Sequence, residues 1–217
     1  MSTKITPAAH TQRAKLVGIT EQTFSDKTGL DRLLFFSDAV FAIAITLLAL
    51  EIRLPAAASP LSNDELLAAL GAMFPSYIAY GISFLAIGLY WMGHHRTFRA
   101  VVRYDGRLMM LNLLLLASVA FMPFPTSIIS EYGNRVATQF YALAAGLVGL
   151  LMTLIWWYTH GNGRLLAQPA PPDEVRRGLV RALFAPVIFG LGFILAFWNV
   201  DLAQYSWLLI ALSAFVH

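Results

Sequence analysis

The chain has 217 residues, of which 58% are hydrophobic and 12% charged, roughly half the charged share of an average globular domain, and its mean hydropathy is +0.65. The net charge of +3 is no sign of a nucleic-acid partner, because the basic residues lie at the ends of apolar blocks, which is the membrane-topology pattern. There are no cysteines, which excludes disulfides, thiolate chemistry and cysteine-ligated metals.

In chain order, residues 1–27 are polar and lack the apolar core and small-residue cleavage site of a secretory signal, so a cytoplasmic, weakly structured tail is expected there. Residues 28–217 are expected to form one transmembrane unit of six helices, at about 30–54, 65–92, 98–122, 135–158, 178–198 and 202–217, judged against the ~20 residues that cross the hydrocarbon core. Ser62-Asn63-Asp64-Glu65 reads as a capping box opening the second segment. Pro75 and Pro186 fall inside the second and fifth, where kinks are expected, and Pro123 and Pro125 mark the end of the third. The sixth segment is short for a span.

With six spans, thirteen of the fifteen Lys and Arg residues fall on the side of the two termini, leaving only Arg53 and Arg135 opposite. The positive-inside rule then places both termini in the cytoplasm, with the chain a multi-pass protein of the cell (inner) membrane and the lipid bilayer its first partner.

The first segment carries the sharpest signal. Arg32-Leu33-Leu34-Phe35-Phe36-Ser37-Asp38 leads into AVFAIAITLLAL over 39–50. At 100° per residue, Leu47 and Leu50 project within about 40° of Ile43, Phe36 falls on the same side, Thr46 sits about 60° off, and Asp38 about 140° away. An ionisable residue inside a span is costly and is a functional-site candidate by default. Spacing alone favours packing of the Ile43–Leu47–Leu50 ladder against neighbouring helices or lipid, with Asp38 as a buried polar clamp.

Arg32-x-x-x-Phe36-Ser37-Asp38 resembles the signature of the transmembrane protein 175 family of lysosomal and prokaryotic potassium channels. The continuation AVFAIAITLL and the stretch Tyr90-Trp91-Met92-Gly93-His94-His95-Arg96-Thr97-Phe98 resemble it too. The resemblance implies an all-α membrane protein of the short prokaryotic form, a homotetramer whose four first helices line a central pore. It implies a main constriction at Ile43, further apolar rings at Leu47 and Leu50, and a hydroxyl tied to selectivity at Thr46. Potassium is then the permeant ion, with no cofactor. The resemblance reverses the balance in favour of a pore. An apolar constriction gates by dewetting, and the chain has no T-V-G-Y-G loop of the carbonyl-lined kind.

Arg32 and Asp38 are too far apart around the helix to pair, so the partners of Arg32, Ser37 and Asp38 must come from other helices. Trp91, His94 and His95 are the candidates, because a donated N–H offsets the burial of a carboxylate. An interfacial role for the histidine pair balances the network role. A metal site is disfavoured, since adjacent helical positions diverge by about 100°. No Walker loop, dinucleotide fingerprint, H-E-x-x-H or hydrolytic triad occurs, so no enzyme is expected. The alternative to a channel is a proton-coupled membrane carrier using Asp38 and the histidines as a relay.

Overall fold

Long apolar runs set the helices of this chain, and prolines decide where they break. The computed structural model describes the backbone of residues 7–54, 60–161 and 163–214 and the side chains of 28–54, 60–161 and 163–210. The helices are α1 (Pro7–Leu48), α2 (Asn63–Ala72), α3 (Phe74–Phe98), α4 (Gly106–Phe121), α5 (Pro123–Tyr132), α6 (Arg135–His160), α7 (Pro172–Leu195) and α8 (Val200–Ser206). Short 3₁₀ segments follow α1 (Ala49–Glu51) and α8 (Trp207–Ala214).

Five stretches among the described residues are long and apolar enough to cross a membrane: Thr28–Glu51, Phe74–Phe98, Gly106–Tyr132, Arg135–His160 and Pro172–Leu195. The chain is therefore an all-helical, multi-pass membrane protein. The expected sixth span, 202–217, is described as far as Ala214. Its described part is a seven-residue helix continued by 3₁₀ turns, a geometry rarely sustained for long. It nevertheless re-enters the bundle beside α6. The Gln204 side chain donates to Thr138 Oγ1 at 2.9 Å, the Trp207 ring lies 4.9 Å from that of Tyr141, and Ile210 reaches a cavity bordered by Gly149. Residues 215–217 lie outside the described part.

Several boundaries differ from expectation. The helix of α1 already runs from Pro7, through much of the stretch expected to be weakly structured. Pro75 does not kink a continuous second helix. It sits in the first turn of α3, where a missing N–H costs nothing, and the chain breaks at Met73 between α2 and α3. Pro123 likewise opens α5 immediately after Met122, so the third span passes its prolines and ends at Tyr132. There Gly133 takes the left-handed φ of +55° that closes the helix. Its start is also later than expected, since Val101 pairs with Leu166 in an isolated bridge before α4 begins. The Ser62–Glu65 capping box is formed in full, and Pro186 lies within α7.

The most buried span is α6. Helix α7 packs closely against it because Gly149 faces Pro186, where an added Cβ would stand 2.8 Å from Pro186 Cδ. Gly178 similarly leaves room for the ring of Trp156. The Val101–Leu166 bridge ties together the two basic loops that follow α3 and α6. Those loops therefore share one end of the bundle, as the charge count required.

Candidate functional site

Helix α1 turns one stripe into the bundle: Leu30, Ser37, Phe41, Ala44 and Leu48 are all buried. This is a heptad-like spacing that keeps one face against its neighbours. It packs on α3 and α4. The ladder read from the sequence lies on the other side. Ile43 is 57% exposed, Leu47 40% and Leu50 62%, with Phe36 also turned outward. Thr46 is exposed, and its hydroxyl donates to the Ile43 carbonyl at 2.9 Å. Ile45 differs, being half-buried and packed on the core.

Behind the buried stripe runs a chain of hydrogen bonds with a defined direction. Ser37 Oγ donates to the Leu33 carbonyl at 2.8 Å and accepts from Asn112 Nδ2 at 2.9 Å. The amide oxygen of Asn112 is thus the acceptor left for His94 Nε2, 2.9 Å away. With the amide in that orientation, Nε2 carries the proton. Ser37, His94 and Asn112 are at most 1% exposed. The His94 ring is held between Phe41 (5.6 Å) and Phe98 (4.3 Å). In this way α1, α3 and α4 are tied together within the membrane by polar groups that have no water to fall back on.

Asp38 stands beside this chain rather than in it. Trp91 Nε1 donates to Asp38 Oδ1 at 2.8 Å, which is the predicted pairing of the signature carboxylate with α3. The expected burial of Asp38 is not found: it is exposed at the side of the protomer. The two histidines part company. His94 is buried in the network, whereas His95 is exposed and stacks on Trp91 with ring centres 5.9 Å apart. Among the described residues no hydrogen bond joins Asp38 to either histidine. Arg32 is exposed and takes no part in this network.

Sequence reasoning missed two residues. Asn112 is the centre of the buried chain, and its signal was a lone amide in the otherwise apolar run LMMLNLLLL. Asp105 caps α4 through the Leu108 N–H (2.9 Å) and accepts from the Tyr158 hydroxyl (2.5 Å), joining α4 to the end of α6. The Tyr158 hydroxyl first, and the Leu108 amide second, hold its carboxyl below the usual carboxylate range.

The stretch that carries these residues also matches known proteins. The family model described as Endosomal/lysosomal potassium channel TMEM175 matches residues 32–123, the stretch that contains Ser37, Asp38, Trp91, His94 and Asn112. A potassium channel of Streptomyces collinus is 41% identical over 170 residues, covering 74% of this chain and 81% of that one. A potassium channel of Chamaesiphon minutus is 38% identical over 172 residues, covering 77% and 84%. The fold is similar to the crystal structure of a lysosomal potassium-selective channel TMEM175 homolog from Chamaesiphon minutus, with a TM-score of 0.75 at 32% identity over 88% of this chain and 97% of that one. Identity at this level over most of both chains, together with the shared fold and the signature on α1, makes this chain a member of the TMEM175 family.

Proposed function

We propose that the chain is one subunit of a potassium-permeable cation channel, a homotetramer in which four copies of α1 surround the pore. Ile43 forms its constriction, Leu47 and Leu50 form further apolar rings, and Thr46 supplies the hydroxyl at the filter. The observation that carries this reading is the outward side of α1. Its exposed arc runs from Asp38 at one edge, about ten residues inside the span, through Thr46 to the Ile43 ladder, all outside the protomer's own core. A carboxylate facing lipid at such depth costs about 3 kcal/mol on insertion scales. Another subunit or a water-filled path must therefore cover that side. Helix α7 makes the contrast. It is less buried than α1, yet beyond Arg181 its exposed large side chains are apolar, among them Leu183, Val187, Leu191 and Ile194, which lipid accepts.

An apolar ring four subunits wide resists hydration, and potassium sheds its water more readily than sodium, so the barrier favours potassium. The potassium-channel relatives support the ion, and the clustering of basic loops at one end supports cytoplasmic termini in an inner membrane with residues 1–27 on that side. The six-span plan is supported by the return of residues 204–210 along α6. The carrier reading has weaker support, because its relay lacks a link between Asp38 and the histidines.

Current recorded in planar bilayers under a potassium/sodium gradient tests the proposal. Ile43→Asn is expected to raise conductance or lower potassium preference, while Ile45→Asn chiefly lowers the yield of folded protein. Equal conductance and selectivity in wild type and Ile43→Asn would remove Ile43 from the constriction. Saturable, proton-dependent flux in place of ohmic current would select the carrier.

A further inference from the structure

A second polar feature lies on the far side of α3 from the signature. Between α3, α6 and α7 is a cavity of about 110 Å³. Arg96, in the last turn of α3, and Arg181, in α7, both line it. Their guanidinium groups repel one another. Arg181 Nε is buried and has no hydrogen-bond partner. No aspartate or glutamate is among the described residues that line the cavity. A guanidinium stays charged at any ordinary pH, so two of them turned into one recess leave a positive charge unanswered by the protomer. A buried donor left unmade is costly, and the natural complement of a guanidinium fork is a carboxylate or a phosphate.

Position narrows the choice. Both arginines lie toward the end of the bundle where the bridge joins the two basic loops. Going deeper, the lining turns apolar: Leu89 and Met92 on α3, Ala185 one turn beyond Arg181 on α7, and Ile210 from the returning C-terminal segment. A charged mouth over an apolar floor matches an amphiphile with an anionic head. Basic pockets between transmembrane helices hold phosphate headgroups in this manner.

We propose that the cavity between α3, α6 and α7 binds the phosphate of an anionic lipid, held by Arg96 and Arg181, with an acyl chain laid against Leu89, Met92, Ala185 and Ile210. The site is separate from α1, and lipid binding does not depend on which ion the protein conducts.

Native mass spectrometry of the purified protein with phosphatidylglycerol or phosphatidylcholine tests it, alongside thermal melts with each lipid and with inorganic phosphate. The wild type is expected to retain phosphatidylglycerol over phosphatidylcholine. The double variant Arg96→Gln/Arg181→Gln is expected to lose that preference by about tenfold. The pair Arg176→Gln/Arg177→Gln, exposed on the same side, is expected to keep it. Arg96→Gln alone, at an exposed helix end, gives a partial loss even if the double variant folds poorly. Equal phosphatidylglycerol retention in wild type and in the Arg96 and double variants overturns the site. Equal losses in the Arg176/Arg177 pair also overturn it, by reducing it to diffuse surface charge. Stabilisation by inorganic phosphate that matches the lipid and depends on Arg181 overturns the lipid in favour of a free anion. None of these readouts records current, so their failure leaves the channel proposal standing.

Discussion

Two buried polar clusters tie the helices together, and they are built on different rules. Near the signature, His94, Asn112 and Ser37 join α3, α4 and α1 in a single file in which each donor meets one acceptor. Farther along α3, Ser83 meets Tyr141 of α6 (2.9 Å) and Thr126 of α5 (2.9 Å), all fully or nearly fully buried. There the Thr126 hydroxyl also lies 2.8 Å from the Met122 carbonyl of its own turn. Its single proton can therefore return to its own helix when a partner is lost. The amide of Asn112 has no such bond within α4. The cluster made of hydroxyls is therefore expected to tolerate the loss of a partner better than the one centred on an amide.

The largest effect should follow from Asn112→Ala. It removes the acceptor of His94 and the donor to Ser37, leaving buried groups that cost about 1–3 kcal/mol each when unmade in soluble proteins and less between membrane helices. A loss of about 2 kcal/mol is expected in the unfolding free energy of detergent-solubilised protein. A melt unchanged from wild type would erase the distinction between the clusters.

Asp38→Asn comes next. The substitution keeps the shape but weakens a charge-assisted bond from Trp91, worth roughly 1.5 kcal/mol at the low end for a charged acceptor. A less stable assembly with nearly unchanged reversal potential is expected, because Asp38 projects away from the Ile43 side of α1. A stable protein with a shifted reversal potential would instead place the carboxylate in the ion path. Trp91→Phe should reproduce the stability loss without altering any charge.

These differences bear on what could be read in the residues alone. Apolar length revealed where α3, α6 and α7 run, and 3.6-residue spacing gave the outward ladder of α1, because burial and periodicity are local properties. That Asp38 or Ser37 would meet Trp91, His94 or His95 was legible from their depth, but which of the three would pair with Asp38 was not. Nor was Asn112, since a lone amide in an apolar run says nothing about which distant helix it will meet. The breaks at Met73 and Met122 escaped for a related reason. A proline states that an N–H is missing, but whether the helix kinks, ends or starts afresh depends on what packs around it. Asp105 carried no local signal, because its partner, Tyr158, is 53 residues away.

Asp105 extends the comparison out of the membrane, to a carboxylate held by a hydroxyl and a backbone amide at the bundle end. Replacing it with alanine removes the α4 cap, a loss of about 1 kcal/mol. Its folded carboxyl titrates below the usual value, so its contribution is present above the unfolded carboxyl value near pH 4 and is lost as pH falls through the lower folded value. The group is half-buried at the bundle end, so solvent and salt still reduce the Coulombic part. The stability difference between wild type and Asp105→Ala, followed by melts from pH 7 to pH 3, should narrow in that acid range. A difference that stays constant down to pH 3 would show that the cap does not depend on ionisation.

The smallest effect is expected at Tyr141, and it is the sharpest test of the hydroxyl rule. Tyr141→Phe removes one oxygen from the second cluster while keeping the ring against Phe189 and Trp207. Ser83 retains Thr126 at 2.9 Å, and Thr126 retains its own-helix carbonyl, so no buried donor is stranded. Bonds of this kind between membrane helices average about 0.6 kcal/mol, and a change of that size or less is expected in the same melts. Adding Thr126→Val should cost more than the two single changes together, because Ser83 then loses both partners at once. If Tyr141→Phe alone costs as much as Asn112→Ala, the hydroxyl cluster has no reserve, and the two ends of α3 are held by the same rule after all.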